Sequence, residues 1–142
     1  MYIILPPEEV TPGRYEVARL QKALYGTRDA PQCWAKAVAR FMQGLGFTRG
    51  HYNPCLYWHP KKHIKAVVHV DDFALEGPKS SLQWFEKEIA ESFDVKTAYL
   101  GPGPGEEKEL PYLGRTIRWR CDGISYEANP KCAQEYLEKP WT

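Results

Sequence analysis

Val68-His69-Val70-Asp71-Asp72-Phe73-Ala74-Leu75 places two adjacent carboxylates between two short apolar runs. Apolar and β-branched residues on both sides predict two strands joined by an acidic turn. Burying unpaired carboxylates costs several kcal/mol, so acids this close to a core need a cation, a partner or solvent. Mg²⁺ binds oxygen ligands, commonly one or two carboxylates together with substrate phosphates. The stretch therefore predicts either a metal site or a plain polar turn, because Asp is common in turns.

Helix and strand patterns flank this turn on both sides. Apolar residues from Trp34 to Leu45 recur every three or four positions, which predicts an amphipathic helix with Pro31 in its first turn. Strands are predicted at Cys55 to Trp58 and Ile64 to Val70, joined by a turn at Lys61-Lys62. We predict an α+β fold, a mostly antiparallel sheet with helices on one face. The other predicted elements are the strand Phe73 to Glu76, a helix capped by Ser80 or Ser81, a possible strand from Phe93 to Leu100, a hairpin of Tyr112 to Trp119 and Ile124 to Glu127, and a short helix from Pro130 to about Glu138.

Length and composition suit one soluble domain over residues 1–142. The net charge is +1, from 19 basic and 18 acidic residues, which argues against an overall basic protein that binds nucleic acid but leaves room for a local patch. No apolar run reaches the roughly 18 residues that span a bilayer, and the four cysteines lack the spacing of a disulfide framework. We expect an intracellular protein, cytoplasmic or nuclear, without a membrane partner.

Four sequence blocks in a fixed order cover roughly residues 15–127. The blocks read Leu20-Gln21-Lys22-Ala23-Leu24-Tyr25-Gly26-Thr27-Arg28-Asp29-Ala30-Pro31-Gln32-Cys33-Trp34, then Leu45-Gly46-Phe47 with Asn53-Pro54-Cys55-Leu56-Tyr57, then Val68 to Gly77, and finally Tyr112-Leu113-Gly114-Arg115-Thr116-Ile117. They resemble blocks of the copia-type (Ty1/copia) reverse transcriptases of retrotransposons, and the match is specific because the blocks keep the order of that family.

The resemblance implies a polymerase palm (a ferredoxin- or RRM-like fold) and RNA-directed DNA synthesis. It implies that Asp71 and Asp72 are catalytic and bind Mg²⁺ or Mn²⁺. The implied partners are an RNA template, a DNA primer and a deoxynucleoside triphosphate. By the same resemblance, the nucleotide or template contacts are Tyr25, Gly26, Arg28 and His69, and the element similar to a primer grip is Tyr112, Leu113 and Gly114.

The chain departs from the family pattern at the upstream end. The family palm needs a further aspartate on a strand before the Tyr25 block, and residues 1–24 contain none. We therefore expect a palm truncated at its N-terminus and inactive by itself. Either Met1 to Leu5 fills the gap in the sheet, or a second copy or a partner chain completes it. The segment Asp94 to Leu100 is similar to the missing block, either by chance or because Asp94 is the third ligand of a permuted palm.

Two further departures lie within the blocks. His69 stands where the family usually has tyrosine, and Thr27-Arg28-Asp29 replaces a Leu-Lys-Gln sequence. These changes put the contacts to the nucleotide in doubt.

Three rival interpretations remain. The four-residue spacing of His51, Cys55, His59 and His63 suggests zinc, but Pro54 and Pro60 interrupt the helix that would align them. A catalytically inactive domain that binds nucleic acid is a second alternative, and an interaction domain derived from the palm is a third. The second rests on basic residues interleaved with Tyr25, Trp34, Tyr57 and Trp58, namely Arg14, Arg19, Lys22, Arg28, Lys36, Arg40, Lys61, Lys62 and Lys65.

Overall fold

The computed structural model of the protein describes residues 2–24, 26–128 and 134. The described residues form an α+β fold with mostly antiparallel sheets, which confirms the predicted fold class. Among these residues, no helix is both long and apolar enough to cross a membrane. The central part contains α1 (Ala30–Gly44), β3 (Thr48–Arg49), β4 (Leu56–His59), β5 (Ile64–His69), β6 (Asp72–Glu76) and α2 (Lys79–Ser92), preceded by β1 (Tyr2–Ile4) and β2 (Val17–Arg19).

Strands β3 to β6 form an antiparallel sheet in sequence order. In β5, buried and exposed residues alternate strictly, as the period of two in a strand requires. Ile64, Ala66 and Val68 therefore lie on one face, and the cross-strand neighbour of Ala66, Tyr57, lies on the same face. The opposite face exposes Leu56, Trp58 and Val67.

Both long helices cover the buried face of this sheet. Val38 and Met42 of α1 and Phe85 and Ile89 of α2 pack in one cluster with the buried residues of β4 and β5. Each fully buried side chain of this size stabilises the fold by about 1.5–3 kcal/mol. Both helices therefore lie on the same face of the main sheet, as predicted, because their apolar residues and those of the sheet form one core.

Helix α1 ends where its sequence predicts. Gly46 has a φ of +95°, a conformation that glycine adopts without steric cost. The backbone N–H groups of Gly46 and Phe47 donate to the carbonyl oxygens of Gln43 and Met42, which would otherwise lack partners at the helix end. The chain then returns through β3, an element that the sequence did not predict.

The N-terminal segment corrects one expectation. Tyr2–Ile4 does form a strand, but β1 pairs with β2 in a separate two-stranded sheet. The prediction that Met1 to Leu5 fills a gap in the main sheet is therefore wrong. The nearby β2 is the easier partner, because closing the short loop between β1 and β2 costs little chain entropy.

The predicted strand from Phe93 to Leu100 is also wrong. Between Phe93 and Tyr99 the backbone forms no strand, and Leu100 makes a single bridge to Glu107. Thr97 and Tyr99 instead donate hydrogen bonds to the Glu86 carboxylate of α2, so side chains rather than a strand partner position this segment. Burial and the neighbouring carboxylate raise the pKa of Tyr99 to about 12, which keeps its hydroxyl protonated as the donor.

The C-terminal part of the described chain is a three-stranded antiparallel sheet. The predicted strand Tyr112 to Trp119 is broken by a two-residue turn, because Leu113 and Gly114 both have positive φ, 49° and 70°. Positive φ at both central positions is the pattern of a type I′ hairpin. The predicted hairpin pairing with Ile124 to Glu127 is confirmed, whereas the predicted helix from Pro130 to Glu138 lies outside the described residues apart from Gln134. The strands are β7 (Glu109–Tyr112), β8 (Arg115–Arg120) and β9 (Gly123–Ala128).

Candidate active site

Asp71 and Asp72 lie at the tip of the β5–β6 hairpin. His69 pairs with Asp72, so Val70 and Asp71 are the two central residues of the turn. His69 and both aspartates are exposed to solvent. Val70 has a φ of +55°, which β-branched residues rarely adopt. Such strain costs about 1–3 kcal/mol and persists only where the surroundings hold the backbone in place.

Helix α1 supplies a contact that holds this backbone. The indole N–H of Trp34 donates a hydrogen bond to the carbonyl oxygen of Val70. The indole ring itself packs edge-on against Phe93, with 5.3 Å between ring centroids, and Phe93 packs in the same way against Phe41. A hydrogen bond therefore joins the acidic turn to Trp34, which packs with Phe93 and Phe41 at the edge of the core.

Tyr112, at the end of β7, lies within electrostatic range of the acidic turn. Burial raises the pKa of the Tyr112 hydroxyl, and the charge of Asp72 raises it further. Within the described residues the hydroxyl oxygen is buried and has no hydrogen-bond partner. Leu113 and Gly114 follow directly as the tip of the β7–β8 hairpin. The element resembling a primer grip thus ends where the charge of Asp72 still acts on it.

The segment before α1 contains a turn, and its residues line part of a small cavity. Gly26 has a φ of +85°, and a Cβ there would have open space around it, so backbone conformation rather than crowding requires glycine. The Thr27 N–H and hydroxyl both bond to the Leu24 carbonyl, at 3.1 and 2.8 Å, and Arg28 is exposed. Tyr25 lies outside the described residues. The cavity measures about 190 Å³ and is lined by Leu20, Lys22, Ala23, Leu24, Thr27, Asp29 and Cys33.

Comparison with known proteins assigns this arrangement to a family. Residues 1–123 match the family described as reverse transcriptase (RNA-dependent DNA polymerase). The chain belongs to the copia-type reverse transcriptases. It is 30% identical over 98 residues to the retrovirus-related Pol polyprotein from transposon TNT 1-94 of Nicotiana tabacum, and 28% identical over 85 residues to that from transposon RE1 of Arabidopsis thaliana.

These matches cover 66% and 58% of this reverse transcriptase chain, but only 7% and 6% of the two polyproteins. The chain therefore spans a small part of the curated relatives that it matches. No solved structure matches the chain.

The oxygen ligands of this reverse transcriptase segment fit a hard divalent cation only in part. Two exposed carboxylates on adjacent residues suit Mg²⁺, which completes its shell with water and substrate phosphates. In the part of the chain that the structure describes, however, no three His, Cys, Asp or Glu side chains are grouped to hold a metal. Asp94 does not complete the acidic pair and lines a cavity at the end of α2 instead. The permuted-palm interpretation is therefore wrong.

His59 decides the zinc alternative. Its Nε2 lies 3.1 Å from the Leu45 carbonyl oxygen, and its Nδ1 accepts the Lys62 backbone N–H at 3.2 Å. The buried ring is thus the Nε2–H tautomer, with both nitrogens engaged. Neither nitrogen is free to bind a metal, and His51, Cys55 and His63 are exposed while His59 is buried, so the four residues do not form one zinc site.

Sequence reasoning missed the hydrogen bond from Trp34 to the acidic turn. From the sequence, its role as a core aromatic is as plausible as a role at the site. The available signal is chemical, because a buried indole N–H normally finds an acceptor. The acceptor lies 36 residues away on another element, and only the fold identifies it.

Proposed function

We propose that this chain is part of the palm of a retrotransposon reverse transcriptase, folded as one domain over residues 1–142, and that its acidic turn carries the chemistry of DNA synthesis. The carrying observation is the exposed Asp71-Asp72 pair on a strained turn, with the indole N–H of Trp34 hydrogen-bonded to the turn. A two-residue hairpin turn commonly needs positive φ at its first central position, but a β-branched residue there is unusual and strained, and strained backbone clusters at functional sites.

The proposed reaction joins a primer to a nucleotide. The primer 3′-hydroxyl loses its proton and attacks the α-phosphorus, a P–O bond forms, and the bond to the pyrophosphate leaving group breaks. Asp71 and Asp72 would hold Mg²⁺ or Mn²⁺, which when bound stabilises the charge on the attacking and leaving oxygens. The exposure of both carboxylates leaves room for the phosphates that complete such a site.

The remaining predicted residues are assigned by their position relative to this turn. We propose that His69, adjacent to Asp72 across the hairpin, contacts the incoming nucleotide or the template, as do Tyr25, Gly26 and Arg28. The cavity beside Gly26 offers space for part of such a ligand. Tyr112, Leu113 and Gly114 would contact the primer end, and the proximity of Tyr112 to Asp72 supports this assignment.

The proposal requires a third carboxylate from outside the described acidic pair. The full reverse transcriptase would supply it on a strand that pairs with an open edge of the main sheet, or a second copy or partner chain would complete the sheet. The isolated chain is then expected to bind metal weakly and to lack polymerase activity. A cytoplasmic or nuclear location stays a prediction from the sequence.

Primer extension on an RNA template tests the proposal. The product translated from in-frame sequence upstream of Met1, including an aspartate-bearing strand, is expected to extend a primer. Asp71→Asn or Asp72→Asn should lower extension at least about a hundredfold, because each removes a charged metal ligand. Asp122→Asn is the matched control, since Asp122 is also an exposed hairpin aspartate. Extension that survives Asp71→Asn would contradict the proposal.

The second candidate function is nucleic-acid binding without catalysis. Exposed basic side chains favour it, among them Arg14, Arg19, Lys22, Arg28, Lys36 and Arg40. Two of the side chains on which this alternative rests are less available to nucleic acid than the sequence suggests. Tyr57 is buried, and the Lys62 ammonium lies over the Trp84 ring at 4.6 Å from its centroid. Binding that weakens steeply with salt, without any extension by the complete product, would favour this alternative.

A further inference from the structure

We propose that Trp34 is a positioning residue, which holds the backbone of the acidic turn in the conformation that presents both carboxylates to a divalent cation. The inference rests on the proposed function of the turn and adds a residue outside it. Trp34 touches neither the metal nor the substrate in this account. It acts through the peptide group between Val70 and Asp71.

The atom that Trp34 contacts makes this role specific. The Val70 carbonyl belongs to the planar peptide unit that continues into Asp71. Fixing the direction of that oxygen fixes the plane of the peptide, and with it the starting direction of the Asp71 backbone. A contact to a side chain of the turn would not constrain the aspartates in this way.

The local sequence does not fix this conformation by itself. Val70 has a φ of +55° at the first central position of its turn, where Leu113 has 49° in the β7–β8 turn, and of the two only Val70 is β-branched. A β-branched residue in the left-handed region loses stability relative to its extended conformation. An interaction from outside the turn has to offset that loss, and the indole N–H of Trp34 supplies one.

The donor is itself held firmly. Trp34 packs on Phe93, and Phe93 packs on Phe41, which belongs to the same helix as Trp34. This aromatic group leaves the indole little freedom to follow a moving turn. Helix α1 also begins at Ala30, just after the Gly26 block, so one rigid element joins that block to the acidic turn.

The test removes the N–H donor and keeps the ring. Trp34 is replaced by 3-benzothienylalanine, in which sulfur stands in place of the N–H group, and Mn²⁺ affinity of the whole chain is measured by electron paramagnetic resonance. We expect about fivefold weaker binding, equivalent to about 1 kcal/mol. Trp34→Phe should weaken binding at least as much. Trp58→Phe, on the opposite face of the sheet, is the control and should leave the affinity unchanged.

A second substitution separates positioning from general loss of stability. Val70→Gly relieves the backbone strain, because glycine adopts positive φ freely. In that background the benzothienylalanine substitution should change Mn²⁺ affinity less than twofold. If the benzothienylalanine substitution causes the same fivefold loss in the protein that keeps Val70 and in the Val70→Gly variant, the positioning role is overturned. It is also overturned if that substitution leaves the affinity unchanged in the protein that keeps Val70, while Asp71→Asn abolishes binding.

Amide resonances distinguish failure of this inference from failure of the proposed function. If the unsubstituted chain binds no Mn²⁺, or if Asp71→Asn has no effect on binding, the proposed metal site is wrong. The resonances of Val70, Asp71 and Asp72 then decide the role of Trp34. Movement of all three on benzothienylalanine substitution, and not on Trp58→Phe, supports it, and unmoved resonances refute it.

Discussion

The main sheet and the C-terminal sheet of this reverse transcriptase segment are stabilised in different ways. The sheet of β3 to β6 buries Ile64, Ala66 and Val68 beneath two helices. In contrast, every residue of β7 to β9 is described and none is buried. The C-terminal sheet relies on hydrogen bonds and on a group of surface ion pairs. The guanidinium nitrogens of Arg118 lie 2.9 Å from a carboxylate oxygen of Glu109 and 3.0 Å from one of Glu127. A guanidinium nitrogen of Arg120 lies 2.8 Å from a carboxylate oxygen of Glu127.

The difference matters because each sheet carries a different part of the candidate site. The acidic turn projects from the main sheet, which packs against the hydrophobic core. Tyr112 and the Leu113-Gly114 turn belong to the C-terminal sheet, which has no buried residues. Exposed ion pairs contribute at most about 1 kcal/mol each, so the C-terminal sheet is the less stable unit. We expect it to open before the main sheet does, and to gain stability when nucleic acid or a partner chain covers it.

The largest expected effect comes from a matched pair of isoleucines. Ile64→Ala, in the main sheet, should lower the free energy of unfolding by about 3 kcal/mol, because it leaves a cavity in a packed core. Ile124→Ala, on β9 where the side chain is 61% exposed, should change it by less than about 0.5 kcal/mol. Urea denaturation measures both. Equal losses would mean that β9 packs against a core of its own.

Exchanging the two kinds of turn residue gives the next effect. Gly114→Val places a β-branched residue at a φ of +70° and should cost about 2 kcal/mol in stability. Val70→Gly should not destabilise the protein by more than about 0.5 kcal/mol, because relief of strain offsets the greater freedom of glycine in the unfolded chain. Chemical denaturation of the two variants decides the point. A larger loss for Val70→Gly would show that the β5–β6 turn is not strained.

The smallest expected effect is a pH dependence confined to the C-terminal sheet. Hydrogen bonds from Arg120 and Ser125 hold the pKa of Glu127 below its ordinary value of 4.5, and the charge of Arg118 lowers it further. The folded pKa is therefore below the unfolded pKa. The stabilising contribution is complete above the unfolded pKa and is lost as pH falls through the folded one.

Hydrogen exchange measures this loss. Protection factors of β8 and β9 amides should fall as pH drops below 4.5, while those of β5 stay constant. Glu127→Gln should remove most of the pH dependence without changing β5. Equal responses of the two sheets would indicate that they unfold as one unit.

Sequence patterns predicted the parts of the fold that depend on local periodicity. The β-branched and apolar run from Ile64 to Val70 identified β5, and the apolar spacing after Pro31 identified α1. The strand predicted at Phe93 to Leu100 failed because its apolar residues pack on the core and its polar ones bind Glu86. Apolar and β-branched content alone does not separate a strand from a segment attached to a helix.

The candidate site was predictable only as far as its residues are adjacent in the chain. Asp71 and Asp72 stand out because carboxylates interrupt two strands, whatever the rest of the fold. Nothing in the sequence selects Trp34 among five tryptophans as the donor to Val70. The influence of the Asp72 charge on Tyr112 likewise depends on the three-dimensional fold, which periodicity does not encode.

Paramagnetic broadening by Mn²⁺ tests the central claim most directly. Substoichiometric Mn²⁺ is added to the isotope-labelled chain, and the loss of amide signals is mapped by residue. Asp71 and Asp72 are expected to broaden first, and Asp71→Asn should abolish the pattern while Asp122→Asn preserves it. Broadening centred elsewhere, or unchanged by Asp71→Asn, would contradict the assignment of the acidic turn as the metal site of a reverse transcriptase.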